Sequence, residues 1–303
     1  MAASGSARTL IVALAANLGI AAAKFVAAAI TGSSAMLTEG VHSVVDSVNQ
    51  ALLLYGRARA AKPPDKLHPF GYGRELYFWS FVVAVLVFAL GAGVSIYEGL
   101  LHIQHPEPAT DPKIAFIVLA VAIVLEGYST FEAKKDFDTS NKGLSFLQAI
   151  RRSKDAPTII VLIENAGALA GLGIAAIGLA LSLITHNPFW DGFASVLIGL
   201  VLGVLAMLLL YEAKSLLIGE AADPALIEAI TKRTAAQPGI VAVYEVLTTH
   251  LSPNSVTAII SADFDDAISA RDVENAVLEI ELALAADHPE LKRIYVRPQQ
   301  GPG

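Results

Sequence analysis

The sequence predicts a membrane all-α domain of six transmembrane helices, followed by a small cytoplasmic α+β domain in the order α-β-β-α-β. Three observations predict it. Of 303 residues, 54% are hydrophobic and only 16% are charged, with a mean hydropathy of +0.58. Ordinary soluble domains of this size are not so apolar. Apolar runs of ~20 residues, the length a helix needs to cross a bilayer, recur through the first part of the chain. After Gly219 they stop, and β-rich segments alternate with capped helical ones. The domains are therefore expected at 1–219 and 220–303.

The six spans run over Thr9–Ile30, Ser34–Tyr55, Leu76–Leu101, Lys113–Phe131, Ile159–Leu183 and Phe189–Tyr211. The loop after the second span holds Arg57, Arg59, Lys62, Lys66 and Arg74. The loop after the fourth holds Lys134, Lys135, Lys142, Arg151, Arg152 and Lys154. The other loops are short and nearly free of Lys and Arg, so the positive-inside rule places both termini in the cytoplasm. The expected location is a bacterial inner (plasma) membrane, crossed several times. No cleavable signal peptide is expected, because the first apolar run continues past signal-peptide length. Between the fourth and fifth spans, Leu144 to Ile150 reads as a short amphipathic piece near the membrane.

Pro157 suits the start of the fifth span. That span carries Glu164, with Gly167 and Gly171 at a small-xxx-small spacing that permits close helix approach. Beyond Gly219, Asp223-Pro224 caps and opens a helix through Ala236. Ile240–Leu251 and Ser255–Phe264 read as strands joined at Ser252-Pro253-Asn254, a hairpin signal. Ser269–Ala286 reads as a helix and Leu291–Val296 as a final strand.

Composition excludes several classes. There is no cysteine, so disulfides, thiolate metal sites and a cysteine nucleophile are ruled out. The absence of soft sulfur also argues against Cu(I). The net charge is −7, and no basic run suggests nucleic acid. No nucleotide loop, catalytic triad or redox motif is present, so an enzyme is not expected.

The second span is the anomaly. It carries Glu39, His42, Asp46, Asn49 and Gln50 within a stripe about 120° wide on a helix. His42 and Asp46, four apart, stack on one face. Ionisable groups cost a few kcal/mol or more at a bilayer centre, so they face a partner, a cavity or an ion. Two readings stand: a polar face joined to a neighbouring helix, or a cation site. Asn17 and Lys24 lie in the first span; Lys24 either snorkels or pairs with a carboxylate. Glu98 and Glu126 are read first as structural pairs, and second as part of a proton or cation path.

At this point the chain resembles the cation diffusion facilitators, metal–proton antiporters that include zinc transporters. The residues that carry the resemblance are Gly32-Ser33-Ser34-Ala35-Met36-Leu37, the run Glu39…His42…Asp46, and Phe70-Gly71-Tyr72-Gly73. Tyr97-Glu98-Gly99, Asp191-Gly192-Phe193-Ala194-Ser195 and Leu216-Leu217-Ile218-Gly219-Glu220 complete them. His42 to Gln50 and Leu162-Ile163-Glu164-Asn165 are most similar to the subgroup with a mitochondrial-type zinc transporter.

The resemblance implies a transport site between the second and fifth spans. His42 and Asp46 match the second-span pair. The fifth-span pair falls at Val161 and Asn165, with Glu164 beside the latter. The implied metal set is His42, Asp46, Glu164 and Asn165. Asn17 and Asn49 are support positions, and Glu39 is either a gate or a helix-start carboxylate. A loop site would fall on Asp65, His68 and Tyr72; with Tyr72 in place of the third ligand, Asp65 and His68 remain as a weak site. The C-terminal ligand positions fall at Val241, Ser261 and Val296, so no binuclear site is expected there, and His250 and His288 are expected to be exposed. A homodimer is implied, with no structural cofactor.

One imidazole with oxygen donors suits Zn²⁺, and also admits Mn²⁺, Fe²⁺, Co²⁺ or Mg²⁺. The ligands must shed protons to hold metal, and His42 exchanges protons near neutral pH. The first expectation is therefore export of a divalent cation, zinc foremost, in exchange for protons. A metal-binding protein that has lost coupled transport and a cation channel are the competing readings.

Overall fold

The computed structural model describes residues 2–31, 34–105, 112–140 and 155–300. Two compact units emerge. One is formed by the residues up to Arg59 together with Glu75–Lys214, the other by Ala60–Arg74 together with the residues from Ser215 onward.

The first unit is helical. We number its helices α1 (Ala2–Thr31), α2 (Ser34–Ala60), α3 (Glu75–Gln104), α4 (Pro112–Ser140), α5 (Ala156–Thr185) and α6 (Phe189–Ile218). Each span expected from the sequence falls inside one of these helices. Among the described residues, α3, α4, α5 and α6 are long and apolar enough to cross a membrane, and α1 holds the shorter apolar stretch Leu10–Val26. Large apolar side chains such as Val124, Ile184 and Val204 point outward, as they do on helices solvated by lipid. The stretch Leu144 to Ile150 lies outside the described residues.

Packing inside the unit follows the small residues. Helix α1 lies along α4, α4 along α5, and α1 also touches α5. Leu53, Val83, Phe137, Ile160, Val161 and Leu209 form a buried core drawn from several helices. Helices α3 and α6 meet backbone to backbone. A Cβ on Gly99 would lie 2.7 Å from the Val196 nitrogen, and one on Gly199 would lie 2.9 Å from the Ile96 nitrogen. Gly192 faces Gly99 across the same crossing, its would-be Cβ 3.0 Å from the Gly99 carbonyl oxygen. Gly167 of α5 approaches Leu205 of α6 as the glycine spacing predicts; a Cβ there would be 2.7 Å from Leu205 Cδ1. Midway, α3 loosens into a π-turn over Val87–Ala92, a local widening that inserts extra backbone into the helix.

The second unit is α+β. Asp223 caps α7 (Pro224–Ala235), accepting from the Ala225 amide at 2.9 Å, with proline in the first turn. Strand β1 (Ile240–Ser252) pairs antiparallel with β2 (Ser255–Phe264). Helix α8 (Ala270–Asp287) then crosses over, and β3 (Leu291–Pro298) pairs parallel with β2. A capping box fixes the start of α8: Ser269 Oγ accepts from the Asp272 amide while Asp272 accepts from the Ser269 amide. The sheet order is β1-β2-β3. Val256, Ala258 and Ile260 of the central strand alternate onto Ile230, Ile280 and Leu284, the period-two pattern of a strand against helices.

The loop Ala60–Arg74 belongs to this unit. Arg293 of β3 donates to the Pro69 carbonyl at 2.6 Å and lies over the Phe70 ring at 4.7 Å. Gly73 is so close to β1 that a Cβ would come within 2.5 Å of the Leu251 carbonyl oxygen. His250 is not exposed as expected: its amide donates to the Glu220 carbonyl at 3.0 Å, and the residue is buried opposite Val256. His288 is half-buried at the end of α8, with Nδ1 3.6 Å from Glu290.

Candidate functional site

The polar stripe of α2 faces the helical unit. Ser43, Ser47, Asn49 and Gln50 are buried, whereas Val44 and Val48 on the opposite side are exposed. An apolar membrane would leave the stripe unsatisfied, so it turns toward other polar groups. Lys24 of α1 donates to Ser43 Oγ at 3.0 Å, and Ser47 Oγ donates to the Ser43 carbonyl at 2.9 Å. His42 and Glu39 lie on α2, but their side chains fall outside the described residues.

Helix α5 supplies the facing acid. Gln50 Nε2 donates to Glu164 Oε2 at 3.1 Å. The other oxygen, Glu164 Oε1, is closed off from solvent and has no hydrogen-bond partner among the described residues. Asn49 Oδ1 and Gln50 Oε1 are in the same condition. Three shielded oxygens without donors are costly in a protein interior. Each is an acceptor that a cation or a water molecule would satisfy.

Glu164 lies within electrostatic reach of Asp46 and of Glu126 on α4. Glu126 in turn lies within reach of Asp46 and Lys24. Asn165 is buried, and its Nδ2 donates to Ser129 Oγ of α4 at 2.7 Å. Val161 is buried in the apolar core, as its side chain demands. Asn17 is buried on α1. The structure thus gathers Asp46, Gln50 and Glu164, and binds Asn165 to α4. Among the described residues, no three His, Asp or Glu side chains lie close enough together to hold a metal ion.

Helix α4 brings more to this region than its apolar sequence suggests. Glu126 and Ser129 are three apart and share a helix face, a spacing that marks a polar contact for α5 and the α2 stripe.

The loop candidates are arranged differently. Asp65 Oδ1 accepts from the Leu67 and His68 amides at 2.9 and 2.7 Å, and Oδ2 accepts from the Tyr72 hydroxyl at 2.6 Å. The Tyr72 bond above all, with the His68 amide next, holds the Asp65 carboxyl below its ordinary value. The His68 ring lies against the Tyr72 ring at 4.2 Å, with Nδ1 3.6 Å from Asp65 Oδ1. The Tyr72 hydroxyl therefore occupies one of the two Asp65 oxygens.

Residues 10–218 match the model of the cation efflux transmembrane domain. The chain is 34% identical over 250 residues to the mitochondrial proton-coupled zinc antiporter SLC30A9 of Xenopus laevis. It is 32% identical over 250 residues to the human protein of the same name. Each alignment covers 82% of this chain, but 45% of the frog protein and 44% of the human one. It is also 31% identical over 237 residues to metal tolerance protein C4 of Arabidopsis thaliana, covering 78% of this chain and 52% of that protein. The chain spans about half the length of these relatives. These matches, with the apolar helices, make it a multi-pass integral membrane protein.

Proposed function

The chain belongs to the cation efflux family, and from that premise we propose that it exports a divalent metal cation, zinc first, in exchange for protons. The observation that carries this reading is the shielded Glu164 Oε1, which, like Asn49 Oδ1 and Gln50 Oε1, has no donor among the described residues. A cation supplies what these oxygens lack.

In this reading His42, Asp46 and Glu164 bind the cation, and Asn165 or water completes the set. Asp46 and Glu164 neutralise its charge where a lone ion would be costly. Metal and protons compete for the same lone pairs, and His42 trades one for the other near neutral pH. Inward proton movement then drives metal outward as the helices open alternately to each side. Six spans, cytoplasmic termini, a homodimer and a plasma-membrane location accompany the proposal. A domain boundary at 219/220 accompanies it too, with the loop Ala60–Arg74 serving the second domain. The Asp65–His68 loop is proposed to take no cargo, because both Asp65 oxygens already have donors.

A second reading, metal binding without flux, draws support from Val161 and Asn165, which bring an apolar and an uncharged side chain to the two fifth-span ligand positions that the resemblance implies. Purified protein in liposomes, with external zinc and a pH reporter inside, separates the two. Coupled and opposite movement of zinc and protons is expected. Zinc binding with no flux would replace the first reading with the second.

A further inference from the structure

Helix α1 brings a positive charge to the face of α2 that carries the proposed ligands. Lys24 is only 7% exposed. A lysine in a membrane helix ordinarily snorkels its head toward the interface. Lys24 instead extends inward and donates to Ser43 Oγ at 3.0 Å. Ser43 follows His42 and precedes Asp46 by three residues, so the ammonium lies directly against the ligand-bearing stripe. From α4, Glu126 is equally buried, at 7% exposure, and faces both Lys24 and Asp46 electrostatically. Glu164 faces Asp46 and Glu126. Among the described residues, the charged groups that converge here are Asp46, Glu126, Glu164 and Lys24.

We propose that Lys24 is a tethered counter-cation of the transport site, which offsets part of its carboxylate charge and competes with the metal for it. The inference rests on the site assigned above. Lys24 keeps the metal from binding too tightly to leave, because its ammonium stands ready to offset the Glu126 charge once the metal departs. Glu126 contributes charge to the balance without being required to touch the metal.

The test is zinc titration calorimetry on the full chain in detergent at fixed pH, together with flux in liposomes. Lys24→Gln keeps a donor for Ser43 and removes the charge. A unit charge at this range in a protein interior changes divalent-ion affinity by about tenfold or more. Lys24→Gln is therefore expected to bind zinc about tenfold more tightly, with a lower KM and a lower kcat. Lys24→Arg, which keeps the charge, is expected to stay within about twofold of wild type on the same grounds. A purely structural lysine would give weaker zinc binding in both variants, and that result overturns the proposal. Should Lys24→Gln not fold, Lys24→Gln combined with Glu126→Gln removes one charge of each sign. Affinity near wild type is then expected, and a loss of binding overturns the proposal.

Asp46→Ala separates the two levels. If zinc binding survives Asp46→Ala, the site itself is misassigned. If Asp46→Ala abolishes binding while Lys24→Gln fails to tighten it, only the counter-cation is wrong.

Discussion

Asp65 in the loop after α2 and Glu164 in α5 are both acidic side chains offered to a cation, yet their oxygens live in different surroundings. Asp65 is exposed and saturated: two backbone amides and the Tyr72 hydroxyl occupy it. Glu164 has one oxygen on Gln50 and one shielded oxygen with no donor among the described residues. A carboxylate that has settled its hydrogen bonds organises a turn. A carboxylate left wanting in a low-dielectric interior attracts a cation, because no water offsets its charge. The difference teaches that a ligand-type residue counts as a site only when its acceptor capacity is unspent.

Removing the unspent charge has the largest expected effect. Glu164→Gln keeps the size of the side chain and removes its charge. Loss of groups that support a metal site costs 10–100-fold as a rule, and the ligand role proposed for Glu164 puts the expected loss at the upper end, about 100-fold in zinc flux. Initial rates in liposomes measure it, and near-normal flux would erase the contrast with Asp65. Asn165→Ala comes next. It strands Ser129 Oγ and removes one oxygen near the site, with an expected drop of about tenfold in flux. A tenfold loss would sharpen the comparison by showing that the α4–α5 hydrogen bond supports the site.

The loop side of the comparison is expected to respond in stability and not in transport chemistry. Arg293→Ala removes both the bond to Pro69 and the contact with Phe70. These together contribute about 1 kcal/mol at such exposure, so hydrogen exchange at residues 60–74 rises about fivefold. Exchange limited to wild-type rates would mean that other contacts hold the loop. Tyr72→Phe is the mildest. It frees Asp65 Oδ2 and lets the carboxyl return toward its ordinary value. A lowered folded-state value stabilises above the unfolded value and ceases to do so as pH falls through the folded one. That window lies on the acid side of about pH 4, so zinc flux across about pH 6 to 8 stays within about twofold. A shifted pH profile in that range would place Asp65 in the proton path and dissolve the distinction.

Much of this architecture could be read in one dimension. Span length and apolarity marked α3, α4, α5 and α6, the four described helices long and apolar enough to cross a membrane, because a bilayer imposes a length on whatever crosses it. The small domain was legible from Asp223-Pro224, the hairpin at Ser252-Pro253-Asn254 and the β-rich runs on either side of it. The inward turn of the α2 stripe followed from the cost of charge in lipid. What could not be read was the cross-helix pairing. Lys24 with Ser43, Asn165 with Ser129 and Arg293 with Pro69 each join residues far apart in sequence. No spacing rule connects them, and only packing decides which polar face meets which. The burial of His250 belongs to the same class, since its amide is taken by Glu220 from outside the sheet.

The crossing of α3 and α6 carries a consequence for how such chains are recognised. Gly99 and Gly192 stand in two of the short motifs by which this sequence resembles its family, and the structure gives them opposing backbone to touch. Any side chain at either position would have to enter the space of the opposing helix. A descendant that had lost every ligand would still be forced to retain these glycines if it kept its fold. Part of the family's sequence likeness is thus a record of two helices in contact, and a chain's membership and its power to transport are separable traits.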